Sequence, residues 1–431
     1  MLKFREVLFL GCFLIIYIIL YQTRMYVFTN KLNFEPVWND SVKLCGDVSI
    51  KFMNSTTWRN NSNDYFVYSA FLIGNRIKIL GLKNVTRANK QYFCEIAYKK
   101  PDGKILTVSV RVNKQTVIPY FSFARYTGIT FECDIVKPYE KGLSLQYVSL
   151  EYKECTHANV FLKPKLESHT KHKFMICTRP IFNLKDIYQI VEWIEFNRMM
   201  GVTKFVLYDN GGNEKISKIL EFYKNIGIVE VYPWKLPVTS IQNRGQEPAL
   251  YDCFFRNINS TYIIHIDVDE FVVPQLHDDW SKMVDFLKWN YSSRASFVIR
   301  NGFFSMEYSS DGNTYTDIKT SKEYKVRSLL KFKHAPIFNE TRRGKVIIDP
   351  RYVERPGVHW VVELANNGSQ VCVRPEHVLL HHYRVSIKGI GIPDIRESVS
   401  KINRRMLFFK DTLLNRIKTI AKHGIKSGII Y

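Results

Sequence analysis

Hydrophobic and polar residues alternate in short runs along the first part of the chain. Between residues 40 and 166, runs such as YFVYSAFLI, QYFCEIAYKK and KILTVSVRV are rich in β-branched and aromatic residues, and turn signals such as P-D-G separate them. In the last of these runs Leu106, Val108 and Val110 occupy alternate positions, which gives one sheet face that can be buried. We predict a small β-rich domain here, organised as a sandwich, with an accessory role.

A different pattern begins at about residue 167, where apolar runs alternate with segments of helical periodicity. FMIC, KFVLYD, IVEVY and TYIIHI are short apolar strands. Between the first two, a helix starts at Asn183 or Asp186, has Ile187, Ile190 and Ile194 at helical spacing, and stops at Gly201. The βαβαβ order requires crossover connections and predicts a mixed, mostly parallel sheet with flanking helices. The fold class is therefore α/β over residues 167–431, and ligands are expected beyond the carboxyl ends of the strands.

The N-terminus contains one uncharged apolar run, VLFLGCFLIIYIILY, over residues 7–21. Its length suits a short transmembrane signal-anchor, with residues 1–6 as a cytoplasmic tail and residues 22–39 as a stem. A cleaved signal peptide is the alternative, but no small-residue cleavage pattern follows the run. Eight N-x-[ST] sequons all lie after it, which favours a single-pass type II protein with its body in the secretory lumen: Asn39, Asn54, Asn60, Asn84, Asn259, Asn290, Asn339 and Asn367.

Charge and cysteine content narrow the classes further. The formal net charge is +22, yet Lys and Arg are spread along the 431 residues without a basic arm or a nucleic-acid-binding motif, so we expect no nucleic-acid partner. Seven of the eight cysteines follow the apolar run and none has the tight spacing of a zinc site, which predicts a few disulfides and one remaining thiol. Cys177 and Cys253 are possible nucleophiles, but burial or a disulfide is the preferred interpretation.

Three carboxylates follow the strand TYIIHI directly: Asp267, Asp269 and Glu270. On an extended backbone Asp267 and Asp269 would share one face, with Val268 turned into the sheet. Carboxylates this close repel each other unless a cation lies between them, and Mn²⁺ or Mg²⁺ accepts such oxygen ligands. A cation held there would assist the departure of a nucleoside diphosphate, whereas an acidic surface loop is the alternative.

Several blocks together resemble glycosyltransferase family 92, best known from animal sequences. They are CTRPIF, EWIEFNRMMGVTKFVLYDNGG, IVEVYPWKLP, GQEPALYDCFFRN, IIHIDVDEFVVP and HHYR, and the similarity runs from about Lys173 to Tyr383. The resemblance implies a GT-A-type fold, a type II Golgi membrane topology, Mn²⁺ dependence, and transfer of galactose from UDP-galactose to a glycan with inversion. It also implies that Asp267 and Asp269 are the metal-binding D-x-D pair.

Other site residues follow from their positions in these blocks. Asp209 would accept hydrogen bonds from uracil or ribose, unless it only shapes a turn. Gln246 and Asp252 would hold the sugar, although Asp252 could instead complement a helix dipole. Arg179 would meet a phosphate or ribose, with an ordinary surface arginine as the alternative, and Glu270 completes the group expected to bind the nucleotide sugar.

Two roles have several candidates. His359, His381 and His382 are candidates for a third metal ligand, and His382 is preferred. An inverting transfer also needs a base for the acceptor hydroxyl, and the sequence offers four carboxylates without choosing between them: Asp349, Glu354, Glu363 and Glu376.

The sequence thus predicts a membrane-anchored, metal-dependent glycosyltransferase with a nucleotide-sugar donor and a glycan or glycoprotein acceptor. A glycan-binding membrane protein of the same fold without catalysis is the first alternative. A phosphatase with an aspartyl nucleophile also has a D-x-D after a strand, but Glu270 and Phe271 stand where that motif has a small residue.

Overall fold

The computed structural model describes residues 42–47, 58–62, 65–87, 90–118, 124–135, 142–156, 158, 161–166, 171–292, 296–309, 315–338, 343–385 and 396–426. The predicted tail, signal-anchor and stem lie outside these residues. Among the helices that the structure describes, none is long and apolar enough to cross a membrane.

The first region consists of two antiparallel sheets. Its strands are β1 (Val42–Asp47), β2 (Arg59–Ser62), β3 (Tyr65–Ile73), β4 (Arg76–Asn84), β5 (Phe93–Lys99), β6 (Ile105–Arg111), β7 (Lys114–Val117), β8 (Tyr126–Asp134) and β9 (Ser144–Glu151). One sheet has the order β1-β6-β5-β9 and the other β2-β3-β4-β8-β7. Residues of both sheets, such as Ile96 and Phe131, share one hydrophobic core, and the Cys94–Cys133 disulfide joins β5 to β8. The predicted sandwich is present.

The second region alternates strands and helices as predicted. It contains β10 (Phe174–Cys177), α1 (Ile187–Met199), β11 (Val202–Asp209), α2 (Glu214–Asn225), β12 (Val229–Pro233), α3 (Gln246–Arg256), β13 (Tyr262–His265), β14 (Glu270–Pro274), α4 (Trp280–Tyr291), β15 (Ser296–Ile299), β16 (Asn301–Ser305), α5 (Ile318–Glu323), β17 (Lys333–His334), β18 (Lys345–Ile348), β19 (Val353–Arg355), β20 (Glu363–Leu364), β21 (Gln370–Val373), β22 (Val378–Arg384), β23 (Lys401–Ile402) and α6 (Lys410–Lys426). Short 3₁₀ turns cover Gln242–Arg244, Arg327–Leu329, Pro350–Tyr352, Glu397–Val399 and Arg405–Phe409.

The main sheet of this region has the order β12-β11-β10-β13-β18-β15-β21. Neighbouring strands are parallel except where β18 pairs with β13 and with β15, so the mixed, mostly parallel α/β sheet is confirmed. A separate sheet, β14-β22-β16, sets His382 directly opposite Glu270. The carboxyl ends of β10, β11 and β13 therefore lie side by side, and the segments that follow them can form one site.

Helix α1 shows how the local sequence fixes this arrangement. The Asp186 side chain caps its first turn by accepting a hydrogen bond from the Tyr188 amide (3.1 Å). Ile190 and Ile194 are fully buried against the sheet. The helix ends at Met199, with Met200 as its C-cap, and is followed by Gly201, whose φ of +100° is readily adopted by glycine. The predicted start and stop are confirmed.

The two regions pack closely against each other. Phe71 and Leu80 of the β-rich region share a core with Phe254 and Phe255 of α3. The Lys78 ammonium lies 2.8 Å from a Glu354 carboxylate oxygen across the same boundary. The β-rich region therefore supports α3, whose N-terminal end borders the site.

Sequon accessibility differs between positions. Asn84 is 1% exposed, and its side-chain oxygen accepts a hydrogen bond from the Thr86 hydroxyl of the same sequon (2.8 Å). The folded domain has no room for a glycan there, whereas Asn290 and Asn367 are exposed.

Candidate functional site

The acidic triplet forms a tight turn between β13 and β14. The Glu270 amide donates to the Asp267 carbonyl (3.0 Å), and the Asp267 amide donates to a Glu270 carboxylate oxygen, Oε2 (2.8 Å). These two hydrogen bonds close the turn at both ends, so the expectation of an extended backbone through Asp267 and Asp269 is wrong. One oxygen of the Glu270 side chain is thus used in closing the turn, and its contact with a nucleotide sugar stays a prediction.

The chain supplies its own cations to this turn. The Lys345 ammonium lies 3.3 Å from Asp267 Oδ2 and 3.1 Å from Glu270 Oε2, and the Arg179 Nε lies 3.8 Å from Asp267 Oδ2. Burial opposes ionisation of Asp267, but Lys345 and Arg179 outweigh it and hold its pKa below the ordinary value. Lys345 and Arg179 thus relieve part of the repulsion between the carboxylates that a metal ion was expected to relieve.

Asp269 has a different environment. Its Oδ2 lies 3.6 Å from His382 Nε2, and its Oδ1 is buried without a hydrogen-bond partner among the described residues. Burial lowers the pKa of His382, but the Asp269 and Glu270 carboxylates reverse this and raise it overall. Asp269 therefore presents a charged oxygen with unused acceptor capacity.

The three candidate histidines occupy different places. His382 lies next to the acidic turn, with Nδ1 at 3.7 Å from Glu270 Oε1. His381, its neighbour on β22, stacks on Phe304 at 4.2 Å between ring centroids, on the core side. His359 bonds through Nδ1 to the Gly344 carbonyl (2.7 Å), and burial lowers its pKa to about 4. Of the three, His382 is the one in contact range of Asp269.

The fit to a divalent cation is partial. Within the described ranges, no group of three or more His, Cys, Asp or Glu side chains is arranged to hold a metal ion. The unpartnered Asp269 Oδ1 and the buried His382 Nε2, which also lacks a hydrogen bond in the described structure, are two donors of types that Mn²⁺ accepts. These residues fit an ion that takes its other ligands from a bound molecule.

A cavity of about 300 Å³ opens beside Asp269. It lies beyond the carboxyl end of β10, between the start of α1, the acidic turn and the loop before α3. Its lining residues are Thr178, Arg179, Pro180, Ile181, Phe182, Asn183, Leu184, Gln189, Asn243, Arg244, Val268 and Asp269. The position agrees with the edge of the sheet where ligands were expected.

Two arginines give this cavity a positive wall. Arg179 is about one-third exposed, and the nearby carboxylates, Asp267 first, raise its pKa further. The Arg244 guanidinium stacks 3.2 Å from the centre of the Phe182 ring. The flat Arg244–Phe182 pair and the partly exposed guanidinium of Arg179 suit a ligand with a ring and an anionic group.

Asp209 and Gln246 lie near the site but do not line the cavity. Asp209 Oδ1 accepts hydrogen bonds from the Gly211 and Gly212 amides (3.0 and 2.9 Å), which is the turn-forming alternative. Gln246 is the buried first residue of α3, two positions after Arg244. Contact of either side chain with a donor stays a prediction.

Asp252 is removed from the site. It is fully buried in the middle of α3, where its oxygens accept from the Ser69 and Tyr208 hydroxyls (2.5 and 2.6 Å) and pair with the Arg256 guanidinium. All its acceptor positions face these partners. Its side chain is turned inward toward the β-rich region, so this geometry does not support the expectation that Asp252 holds the sugar.

The four carboxylates considered as proton acceptors do not line the cavity: Asp349, Glu354, Glu363 and Glu376. Asp349 is held in a two-point ion pair by Arg351 (2.9 and 2.6 Å), and Glu354 takes part in the interdomain pair with Lys78.

Sequence reasoning missed one further carboxylate, Glu247 in the first turn of α3, which lies within electrostatic range of Lys345. Burial raises the pKa of Glu247 to about 7, against the effect of Lys345, a value suited to proton exchange near neutral pH.

The raised pKa of Glu247 predicts a pH-dependent stability difference. The folded state holds the Glu247 proton more tightly than the unfolded state, so this group's contribution is favourable below its unfolded pKa of 4.5 and is lost as pH rises toward 7. The free energy of unfolding of wild type should therefore fall by about 1–2 kcal/mol between pH 5 and pH 8 relative to that of Glu247→Gln. The figure is smaller than the full pKa shift would give, because the side chain is only partly buried. Urea unfolding of both proteins at the two pH values measures this, and equal differences at both would contradict it.

The cysteines follow the sequence-based expectation. Cys45–Cys155, Cys94–Cys133 and Cys177–Cys253 form disulfides, and Cys372 is the remaining thiol among the described residues. Cys177–Cys253 links the end of β10 to α3, so neither sulfur is a nucleophile.

Comparison with known proteins adds a sequence relative. Residues of this chain are 26% identical over 226 residues to the β-1,4-galactosyltransferase galt-1 of Caenorhabditis elegans, and the alignment covers 49% of this chain and 48% of that protein. The chain thus matches about half the length of this curated relative.

Similarity to solved structures is weaker. Staphylococcus aureus TarS 1–349 with UDP-GlcNAc is 9% identical, over 52% of this chain and 62% of that one, with a TM-score of 0.29. The complex of the same protein with UDP is 16% identical, over 33% and 38%, with a TM-score of 0.23. Scores this low carry no weight for this chain.

The decisive comparison covers the α/β region itself. The family model of glycosyltransferase family 92 matches residues 172–422, more than half of the chain, from the segment before β10 into α6. This span contains the acidic turn, the cavity and every residue that lines it. The α/β region built around that turn accounts for the match, and the chain belongs to glycosyltransferase family 92.

Proposed function

We propose that this chain transfers galactose from UDP-galactose to a glycan or glycoprotein acceptor, with inversion and with help from Mn²⁺. We further propose that it acts as a single-pass type II membrane protein of the Golgi. Family membership and the galactosyltransferase named among its relatives support the reaction class. The observation that carries the proposal is the cavity beside the acidic turn, where Asp269 offers an unpartnered oxygen and Arg179 a positive charge.

Different side chains would contact different parts of the donor. Arg179 would donate hydrogen bonds to a phosphate oxygen, while Phe182 and Arg244 would provide the flat surface for the base. Asp269 and His382 would hold Mn²⁺, which when bound supplies the charge that stabilises the leaving diphosphate. Family 92 membership supports a GT-A-type fold around this cavity.

Donor binding tests the proposal directly. Calorimetric titration of the purified protein with UDP-galactose, UDP-glucose and UDP-GlcNAc should give the strongest binding with UDP-galactose, and binding should weaken when EDTA removes divalent ions. A protein that only binds glycans would take up free galactose-terminated glycans without needing the nucleotide. Glycan binding with no heat from any UDP-sugar would contradict the proposal.

Arg179 gives the matching mutational test. Arg179→Ala should weaken UDP binding about 10–100-fold, because a charge-assisted hydrogen bond to phosphate is lost. Arg179→Lys keeps the charge without the planar fork and should lose less. Calorimetry with UDP measures both, and an unchanged dissociation constant for Arg179→Ala would show that the diphosphate lies elsewhere.

A further inference from the structure

Lys345 lies inside the acidic cluster, although nothing near it in sequence suggests a role. It is the first residue of β18 and only 2% exposed. The pairing of β18 with β13 ends at Val346 and His265, so Lys345 lies just beyond the end of β13, level with the acidic turn. On its other side it pairs with Ile299 of β15. Strand pairing therefore fixes its backbone.

The ammonium group bridges two of the three carboxylates. It lies 3.3 Å from Asp267 Oδ2 and 3.1 Å from Glu270 Oε2, and that Glu270 oxygen also accepts the Asp267 amide that closes the turn. A lysine ammonium only donates hydrogen bonds, and a divalent cation at the same oxygens would face its charge at short range. Asp267 and Glu270 thus already share one internal cation, and Asp267 has a second one in Arg179.

Asp269 stands apart from this bridge. Its nearest charged partner is His382 at 3.6 Å, and its Oδ1 has no hydrogen-bond partner among the described residues. Asp269 lines the cavity together with Arg179, whereas Lys345 is not part of the lining. The turn therefore separates Lys345, inside the fold, from Asp269, which lines the cavity.

We propose that Lys345 is a built-in cation of the donor site, which occupies Asp267 and Glu270 and leaves Asp269, with His382, to meet a divalent ion. It is a positioning residue, since it acts through the two carboxylates it bridges. The nucleotide-free protein then binds Mn²⁺ weakly, and the donor diphosphate supplies ligands that the protein lacks. The inference rests on the proposed function only for the identity of that diphosphate.

Mn²⁺ binding to the nucleotide-free protein, followed by electron paramagnetic resonance, tests this role. Lys345→Met removes the competing charge and should tighten Mn²⁺ binding at least about tenfold. Lys345→Gln keeps a hydrogen-bond donor without the charge and should show the same gain, while Lys345→Arg should match wild type. A merely structural lysine would lose function on replacement, and would not gain metal affinity.

The surface variant Lys282→Met is the matched control, because Lys282 pairs with Asp278 at 2.9 Å while 61% exposed, and it should match wild type. Folded Lys345→Met or Lys345→Gln protein that binds Mn²⁺ no better than wild type would overturn the proposal. A measurement on wild type tests the proposal too. UDP should tighten Mn²⁺ binding to wild type at least about tenfold, and UDP that binds without this gain would also overturn the proposal. Failure to bind UDP at all would instead defeat the proposed function, and the nucleotide-free comparison would still decide on Lys345.

Discussion

Asp269→Asn is expected to lower donor turnover by about 10²–10³-fold, the range seen when one group that stabilises developing charge is removed. Asp269 carries the buried, unpartnered oxygen of the cavity wall, and an amide in its place offers no negative charge to a cation. Its backbone carbonyl, which accepts from the Tyr383 amide (2.9 Å), is unaffected, so the turn should keep its shape. Initial rates with saturating acceptor and Mn²⁺, measured for folded protein, give the comparison.

Asp278→Asn is the appropriate control for this substitution. Asp278 is about half exposed, pairs with Lys282 (2.9 Å) and does not line the cavity. This variant should turn over donor at close to the wild-type rate, because an exposed ion pair contributes little. Wild-type turnover by Asp269→Asn would remove Asp269 from the reaction.

Asp252→Ala is expected to reduce the free energy of unfolding by about 3–5 kcal/mol, because it leaves the Arg256 guanidinium buried without its partner. The Ser69 and Tyr208 hydroxyls lose their acceptor at the same time. Asp252 is fully buried and outside the cavity lining, so the folded fraction should bind UDP as wild type does. Urea unfolding and UDP titration below the unfolding transition measure the two effects separately.

Asp252→Asn refines this test, since it keeps the shape and one acceptor while removing the charge. It should fall between wild type and Asp252→Ala in stability. Wild-type stability combined with a loss of donor affinity in Asp252→Ala would return Asp252 to the donor site, as the sequence alone had suggested.

The local sequence was sufficient for the elements that carry the site. Strand β10, the Asp186 cap of α1 and the stop at Gly201 depend on contacts within a few residues, and apolar spacing and capping residues record such contacts directly. The βαβαβ order then placed Arg179 and Asp269 at one edge of the sheet. The family resemblance and the order of strands and helices both indicated this edge.

The contacts made across the sheet could not be predicted in this way. Lys345 reaches the acidic turn because β18 inserts antiparallel between β13 and β15, and no pattern near Lys345 records that pairing. That Glu270 closes the turn with Asp267 could not be predicted either, because the two hydrogen bonds involved depend on the backbone geometry of the turn. Asp252 turned inward because its partners, Ser69 and Tyr208, come from distant strands.

Two neighbouring histidines on one strand also have different surroundings. His381 and His382 are adjacent on β22, and strand alternation sends one toward Phe304 and the other toward Asp269. The sequence can state that the two differ, but the choice of face depends on how β22 pairs with β14, which sets His382 opposite Glu270.

A crystal structure of the protein with UDP and Mn²⁺ would show whether Arg179 and Asp269 hold the donor and its metal ion. We expect the nucleotide in the cavity next to Arg179, and an anomalous manganese peak within about 2.5 Å of an Asp269 oxygen, a normal distance for an oxygen ligand. UDP bound at another place, with the cavity beside Asp269 empty at saturating nucleotide and metal, would contradict this expectation.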